Sequence, residues 1–128
     1  QVRLALSQAE QSKGLMHHDR LQPDHGMLFI FDAAEQRSFW MRNTKIPLDL
    51  GYIDASEEII EIHALYPFDE TPVRSKSCKI LMALEMNQGW FAANGIQAGA
   101  HLDISTIKDA LSKRGIDPAQ KPLAASKR

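Results

Sequence analysis

The apolar residues of this chain occur in short runs of strand length, separated by residues that favour turns. Residues 27–31 form a continuous apolar run between Gly26 and Asp32, which is the pattern of a strand buried on both faces. No long helical repeat separates the central runs. Short strands with regular turn signals favour an antiparallel barrel or sandwich. The sequence therefore predicts a single mainly β domain with two or three short peripheral helices.

Apolar patterning and cap signals locate the other elements. Ser7 and Glu10 form a capping-box pattern, which predicts a short helix that ends at Gly14. Residues 38–41 are expected to pair with 27–31 as a hairpin. The remaining predicted strands are residues 2–6, 48–53, 59–65 and 79–86, with a closing strand at 101–104.

The length of 128 residues indicates one domain. We expect a mainly β domain over residues 1–104, a C-terminal helix over 105–115 and a flexible basic tail over 116–128. Residues 1–105 hold 9 basic and 14 acidic residues, whereas residues 106–128 hold 6 basic and 2 acidic residues. The tail lacks an aromatic residue for base stacking. We therefore expect no nucleic-acid partner, although a contact of the tail with nucleic acid or anionic lipid remains the alternative.

Several classes of site find no support in the sequence. Cys78 is the single cysteine, which excludes a disulfide framework and a Cys-based zinc site within one chain. No run of 18 apolar residues is present, so we expect no transmembrane segment. His17, His18 and His25 suggest a metal ligand set, but adjacent histidines seldom point to one centre. We predict no metal site and no cofactor.

Polar and aromatic residues concentrate around a turn fixed by Pro47 and in a later loop. This composition suits a recognition site, with a flat apolar ring, hydrogen-bonding groups and an arginine fork. The predicted ligand-binding residues are Trp40, Arg42, Asn43, Thr44, Asp49, Glu70 and Thr71. The alternative is structural: Trp40 and Met41 belong to the core, while Asn43 and Asp49 satisfy backbone groups of the loop.

Three carboxylates support a catalytic alternative. Asp49 and Glu85 each stand between apolar residues in a predicted strand, and Glu70 lies in a long loop. Two carboxylates that face one cavity can act as acid and base. The sequence does not bring these residues together, and it contains no nucleophile motif.

The central motifs resemble those of a known family. They read GLM at 14–16, GMLF at 26–29, SFWMRNT at 38–44 and IPLD at 46–49. Further matches are ETP at 70–72, ALE at 83–85, Gly89, and Gly95-Ile96 with Gly99. Over residues 2–104 the chain resembles the bacterial and archaeal family called domain of unknown function 192. It departs from the family pattern at Ala100, where Asp is usual, and in the extension after Ile104.

The resemblance implies a small, mainly β, barrel-like or sandwich domain and implies no particular reaction. Members of this family often follow an export or lipoprotein signal. We expect the protein to be exported, to the periplasm or cell envelope, if a signal segment preceded Gln1, and to be cytoplasmic otherwise.

The leading functional hypothesis is a non-enzymatic module of the cell envelope that binds a small ligand or a peptide. The first alternative is a hydrolase or isomerase that uses Asp49, Glu70 or Glu85 in a small pocket. The second is a scaffold protein whose basic tail, from about Thr106, contacts a partner. The sequence leaves the ligand, the reaction and the oligomeric state open.

Overall fold

A computed structural model describes residues 2–113, which form a five-stranded sheet, a two-stranded sheet and three short helices. In chain order the elements are β1 (Val2–Ala5), α1 (Gln8–Lys13), β2 (Gly26–Glu35), β3 (Ser38–Phe39), β4 (Leu48–Asp54), β5 (Ile59–Leu65), β6 (Val73–Arg74), β7 (Ile80–Asn87), α2 (Trp90–Ala93) and α3 (Ile104–Lys113). The prediction of a mainly β fold with short helices is confirmed.

The five-stranded sheet has the order β1-β2-β7-β4-β5 and is open. The predicted closure into a barrel is wrong, because β1 and β5 lie at opposite edges of the sheet. The antiparallel prediction is also wrong for one pair, since β1 runs parallel to β2. The connection between these two strands spans residues 6–25 and includes α1, which is long enough for a crossover.

Two predicted pairings are replaced by others. β3 does not form a hairpin with β2, because β2 pairs with β7 and β3 pairs with β6 through Phe39 and Val73. The predicted closing strand at residues 101–104 is reduced to a single bridge between Glu58 and His101, and α3 begins at Ile104. Within residues 2–113, no other element closes the sheet.

Both faces of the large sheet are covered, so residues 26–31 of β2 and residues 80–86 of β7 are buried on both sides. The apolar run at residues 27–31 predicted this burial for β2. On one face, Ile107 and Leu111 of α3 pack in a cluster with Leu28 and Met82. The helix predicted over 105–115 is described as far as Lys113, and it contributes Ile107 and Leu111 to the core. The tail predicted over 116–128 lies outside the described residues.

The other face carries Phe29, Leu50 and Tyr52, which pack against Leu15 and Met41 from two loops. The loops leave part of this face uncovered beside α1. The candidate site lies in that gap.

Candidate functional site

A cavity of about 410 Å³ lies between α1 and the segment 36–44, on the sheet face that carries Phe29. Its size is in the range of pockets that hold small organic ligands. It is called the Glu85 cavity here, after the residue at its floor. The lining residues are Gln8, Gln11, Ser12, Lys13, Gly14, Leu15, Met16, Phe29, Phe31, Gln36, Arg37, Ser38, Phe39, Trp40, Thr44 and Glu85.

Glu85 lies in the middle of the sheet, with Met27 of β2 and Leu50 of β4 as its cross-strand neighbours. Only 4% of the residue is exposed, and its carboxyl forms no hydrogen bond or ion pair with another described residue. Burial raises the pKa of Glu85 to about 8, because the charged form loses its hydration. At neutral pH the carboxyl is therefore protonated and can donate a hydrogen bond.

The first wall of the cavity is α1, whose position follows from local capping. Ser7 Oγ accepts a hydrogen bond from Glu10 N at 3.0 Å, and Glu10 Oε1 accepts one from Ser7 N at 3.0 Å. This is the predicted capping box. Gln11 then fixes the helix to the sheet, since its Nε2 donates to Ala5 O at 3.2 Å and to Ile30 O at 2.9 Å.

Gly14 ends α1 and opens the cavity toward Glu85. Its φ of +49° lies in the left-handed region that favours glycine. A Cβ at this position would lie 3.5 Å from the Phe29 ring and 4.0 Å from Glu85 Oε1. A larger side chain would therefore project toward the carboxyl.

The second wall is aromatic and carries a cation. The rings of Phe29 and Phe39 meet edge to face at 4.8 Å between centroids. The Arg37 guanidinium carbon lies 3.9 Å from the centroid of the Phe31 ring, a cation–π contact. Arg37 Nε is buried and has no hydrogen-bond partner among the described residues. A ligand with an acceptor could satisfy this group.

Of the predicted ligand-binding residues, Trp40 and Thr44 line the cavity. Trp40 is 42% exposed and therefore presents part of its ring to the opening, whereas Thr44 is buried. Arg42 lies outside the cavity, with its guanidinium carbon 5.4 Å from the centroid of the Trp40 ring. Asn43 has a φ of +54°, and its carbonyl accepts a hydrogen bond from His17 N at 2.9 Å.

The other three predicted residues lie away from the cavity. Asp49 Oδ2 accepts a hydrogen bond from Gly89 N at 2.7 Å, which agrees with the structural alternative for this residue. Glu70 is exposed. Thr71 is also exposed, and its N–H donates to Asp69 Oδ1 at 2.9 Å. The predicted cluster is thus not one surface, and its role in ligand binding stays a prediction.

The pairing register of β4 and β7 separates Asp49 from Glu85, two of the three carboxylates proposed for the catalytic alternative. Asp49 is paired with Met86, whereas Glu85 is paired with Leu50. Because successive residues of a strand point to opposite faces, Asp49 and Glu85 lie on opposite sides of the sheet. Among the described residues, Glu85 is the one carboxylate that lines the cavity. An acid–base pair of these residues is therefore not formed.

Sequence reasoning noted Glu85 as a carboxylate in an apolar strand but missed Gln11, Lys13 and Arg37. Gln11 and Lys13 belong to a short polar helix, and nothing in their spacing shows which face meets the sheet. The position of Arg37 depends on the β3–β6 pairing, which the sequence did not reveal.

Metal binding and membrane insertion find no site in the described part of the chain. Between residues 2 and 113, no three His, Cys, Asp or Glu side chains are placed to hold one metal ion. No helix in that range combines the length and the apolar character needed to cross a membrane.

The fold and the cavity define a class: a small, mainly β domain with an open mixed sheet and a ligand-sized cavity over a buried carboxyl. The chain belongs to the DUF192 family, described as an uncharacterized ACR, whose profile matches residues 1–104. This confirms the resemblance seen in the sequence motifs.

Two solved structures share the fold. A protein of unknown function from Novosphingobium aromaticivorans DSM 12444 is 37% identical with a TM-score of 0.76, and the match covers 80% of this chain and 73% of that one. A protein from Sinorhizobium meliloti 1021, described as a proposed transcription regulator, is 34% identical with a TM-score of 0.77, over 80% and 79% of the two chains. Comparison with curated proteins gave no match.

Proposed function

We propose that this protein is a binding module that holds a small organic ligand in the Glu85 cavity. The observation that carries the proposal is the buried carboxyl without a partner in a cavity of about 410 Å³. Buried polar groups in folded proteins are nearly always hydrogen-bonded, since an unpaired group costs on the order of 1–3 kcal/mol. A bound ligand would supply the missing partner.

The lining indicates the chemistry of the ligand. A protonated Glu85 donates a hydrogen bond, so the ligand needs an acceptor at its inner end. Phe29, Phe39 and Trp40 offer apolar surface to a ring or chain. Lys13 and Arg37 line the same cavity, which favours a neutral or anionic ligand over a cationic one.

The test is a thermal-shift screen against sugars, peptidoglycan fragments, nucleotides, phosphate esters and short peptides. A ligand at 100 times its dissociation constant adds about 2.7 kcal/mol, which raises the melting temperature on the order of 10 °C for a domain of this size. Each hit is repeated on Glu85→Leu, which removes the hydrogen-bond donor, and on Trp40→Ala, with Tyr66→Ala as the matched control. Tyr66 is 60% exposed and does not line the cavity.

The expected result is at least one hit whose shift Glu85→Leu and Trp40→Ala reduce and Tyr66→Ala retains. A screen in which all three variants keep every hit contradicts the proposal. The same holds if the amide chemical-shift changes of every hit avoid Gly14–Met16 and Phe39–Trp40.

A second candidate function is proton transfer by Glu85, and the observation in its favour is the burial of its carboxyl, which raises the pKa to about 8. A general acid or base works best when its pKa is near the working pH. A single carboxyl suits an isomerase better than a hydrolase that needs two. If Glu85 acts in this way, Glu85→Gln keeps ligand binding but abolishes turnover. Equal turnover in the wild type and in Glu85→Gln would exclude this role.

The scaffold hypothesis now requires a different deletion. Removal of residues 106–128 would take Ile107 and Leu111 out of the core, so loss of a partner would be confounded with unfolding. Removal of residues 114–128 leaves the described part of α3 in place. If the tail binds a partner, this shorter deletion abolishes its pull-down without a large change in melting temperature.

Export to the cell envelope stays a prediction from the family resemblance. Fractionation of cells that express the full-length gene product tests it. Recovery in the cytoplasmic fraction alone would contradict it.

A further inference from the structure

A second cavity, of about 400 Å³, lies at the edge of the sheet where β1 pairs with β2. Arg3 of β1 lines it from one side, and His18, Arg20 and His25 line it from the loop that follows α1. It is called the His18 cavity here. It shares only Leu15 with the lining of the Glu85 cavity, so the two cavities are separate sites.

The ionisable residues that line the His18 cavity are all basic. This is unusual for a chain whose residues 1–105 hold 9 basic and 14 acidic residues. The two acidic residues of the same loop do not line the cavity, and both contact residues of other segments. Asp19 Oδ1 lies 2.6 Å from Lys45 Nζ, and Asp24 Oδ1 accepts a hydrogen bond from Trp90 Nε1 at 3.0 Å.

The surroundings of His18 disfavour the charged form of its imidazole. Burial lowers the pKa of His18, and the positive charges of Arg3 and Lys13 lower it further, while Asp19 opposes them. These groups belong to β1, to α1 and to the loop itself. An anion in the cavity would counter the two cations and favour the charged imidazole.

We propose that the His18 cavity binds a phosphate monoester, with Arg3 and Arg20 as its charged contacts. Arginine offers a planar fork of N–H donors that matches phosphate oxygens. The imidazoles of His18 and His25 supply further donors. The positive charges of Arg3 and Arg20 in the lining favour an anion over a cation. The volume exceeds the needs of inorganic phosphate and leaves room for the esterified group.

The test is an NMR titration of the full chain with inorganic phosphate and with glycerol 3-phosphate, at constant ionic strength. The expected result is saturable shifts at His18 and His25, with an increase in the pKa of His18 at saturation. Arg3→Gln and Arg20→Gln should each weaken binding about tenfold, as loss of a charge-assisted hydrogen bond predicts. Arg74→Gln is the matched control, because Arg74 is exposed on β6 and does not line the cavity.

Circular dichroism of each variant shows whether it is folded, and His18→Gln provides a third variant if Arg3→Gln is not. Shifts that chloride reproduces at equal ionic strength, or an equal loss in Arg74→Gln, would overturn the proposal. So would the absence of saturation with both probes.

A sedimentation assay identifies the source of the phosphate ester. Vesicles of phosphatidylcholine with phosphatidic acid are compared with vesicles of phosphatidylcholine alone. Binding to the first type that Arg20→Gln weakens supports a lipid headgroup. Binding of glycerol 3-phosphate without vesicle binding supports a soluble ester. A phosphate-ester hit that is lost in Arg20→Gln and kept in Glu85→Leu separates this site from the Glu85 cavity.

Discussion

Replacement of Glu85 by glutamine should make the stability of the protein less sensitive to pH. In the folded state burial raises the pKa of Glu85 to about 8, whereas its ordinary value is 4.5. Between these values the unfolded chain has lost the proton and the folded chain has kept it. The folded state is then the more protonated one, so its stability falls as pH rises.

The magnitude follows from the difference between the two pKa values. Each pH unit in this window costs about 1.4 kcal/mol, so the wild type loses about 3 kcal/mol between pH 4 and pH 7 from this group. Above pH 8 the loss levels off, because the carboxyl then ionises in both states. Glutamine has nearly the same shape and no proton to lose, so the variant lacks this contribution.

Urea unfolding at pH 4, 5.5, 7 and 8.5 measures the effect. The quantity to compare is the stability of Glu85→Gln minus that of the wild type, since contributions from other titrating groups cancel in this difference. It should rise by about 3 kcal/mol from pH 4 to pH 7. Glu70→Gln serves as the control, because Glu70 is an exposed carboxylate, and its difference should stay flat.

A flat difference for Glu85→Gln would refute the reasoning, since it would mean that the carboxyl is hydrated or paired in the folded protein. A rise that continues to pH 8.5 when a ligand is bound, instead of levelling off above pH 8, would connect the measurement to the proposed function. In that case the ligand accepts the hydrogen bond of Glu85 and stabilises its protonated form.

Three further predictions concern residues that stabilise the fold. Gly26→Ala should prevent stable folding, as judged by circular dichroism, because its Cβ would lie 2.1 Å from Met86 Sδ and 2.4 Å from the Glu85 carbonyl oxygen. Tyr52→Phe removes the hydrogen bond from Tyr52 Oη to Val73 O at 2.6 Å and should lower the free energy of unfolding by about 1 kcal/mol. An unchanged free energy of unfolding would show that water satisfies the Val73 carbonyl in the variant. Glu61→Gln should destabilise most at neutral pH and less below pH 4.5. Burial alone would raise the pKa of Glu61, but hydrogen bonds from His63 and from two backbone amides lower this pKa. The carboxylate therefore stabilises the folded state at neutral pH, and this contribution is lost as the carboxylate is protonated. An equal loss of stability in Glu61→Gln at pH 3 and at pH 7 would contradict this reasoning.

Local signals in the sequence identified most elements but not their partners. The capping box of Ser7 and Glu10 depends on residues three apart, and it appears in the structure as predicted. The hairpin between 27–31 and 38–41 was wrong because a neighbour in sequence is only the commonest partner of a strand. β2 instead pairs with β7, about fifty residues later, through contacts such as Phe29 with Ala83.

The prediction of the candidate site was also limited by the lack of information on which distant residues lie close together. The motif around Trp40 marked one rim of the cavity, but Asp49 and Glu70 were assigned to the same site without evidence of proximity. Asp49 instead holds the amide of Gly89, on the opposite side of the sheet from Glu85. Alternation along a strand predicts that Asp49 and Leu50 lie on opposite faces of the sheet, but it does not predict which face carries the cavity.

The sequence by itself determined the family, the mainly β composition, the ends of α1 and the burial of residues 27–31 on both faces. These properties depend on motifs, apolar periodicity and hydrogen bonds between near neighbours in the chain. Only the tertiary structure decided the strand order, the open sheet, and the positions of Glu85 and His18 in two separate cavities. Those features depend on which distant segments pack together, and the packing determines how far a carboxyl or an imidazole is removed from water.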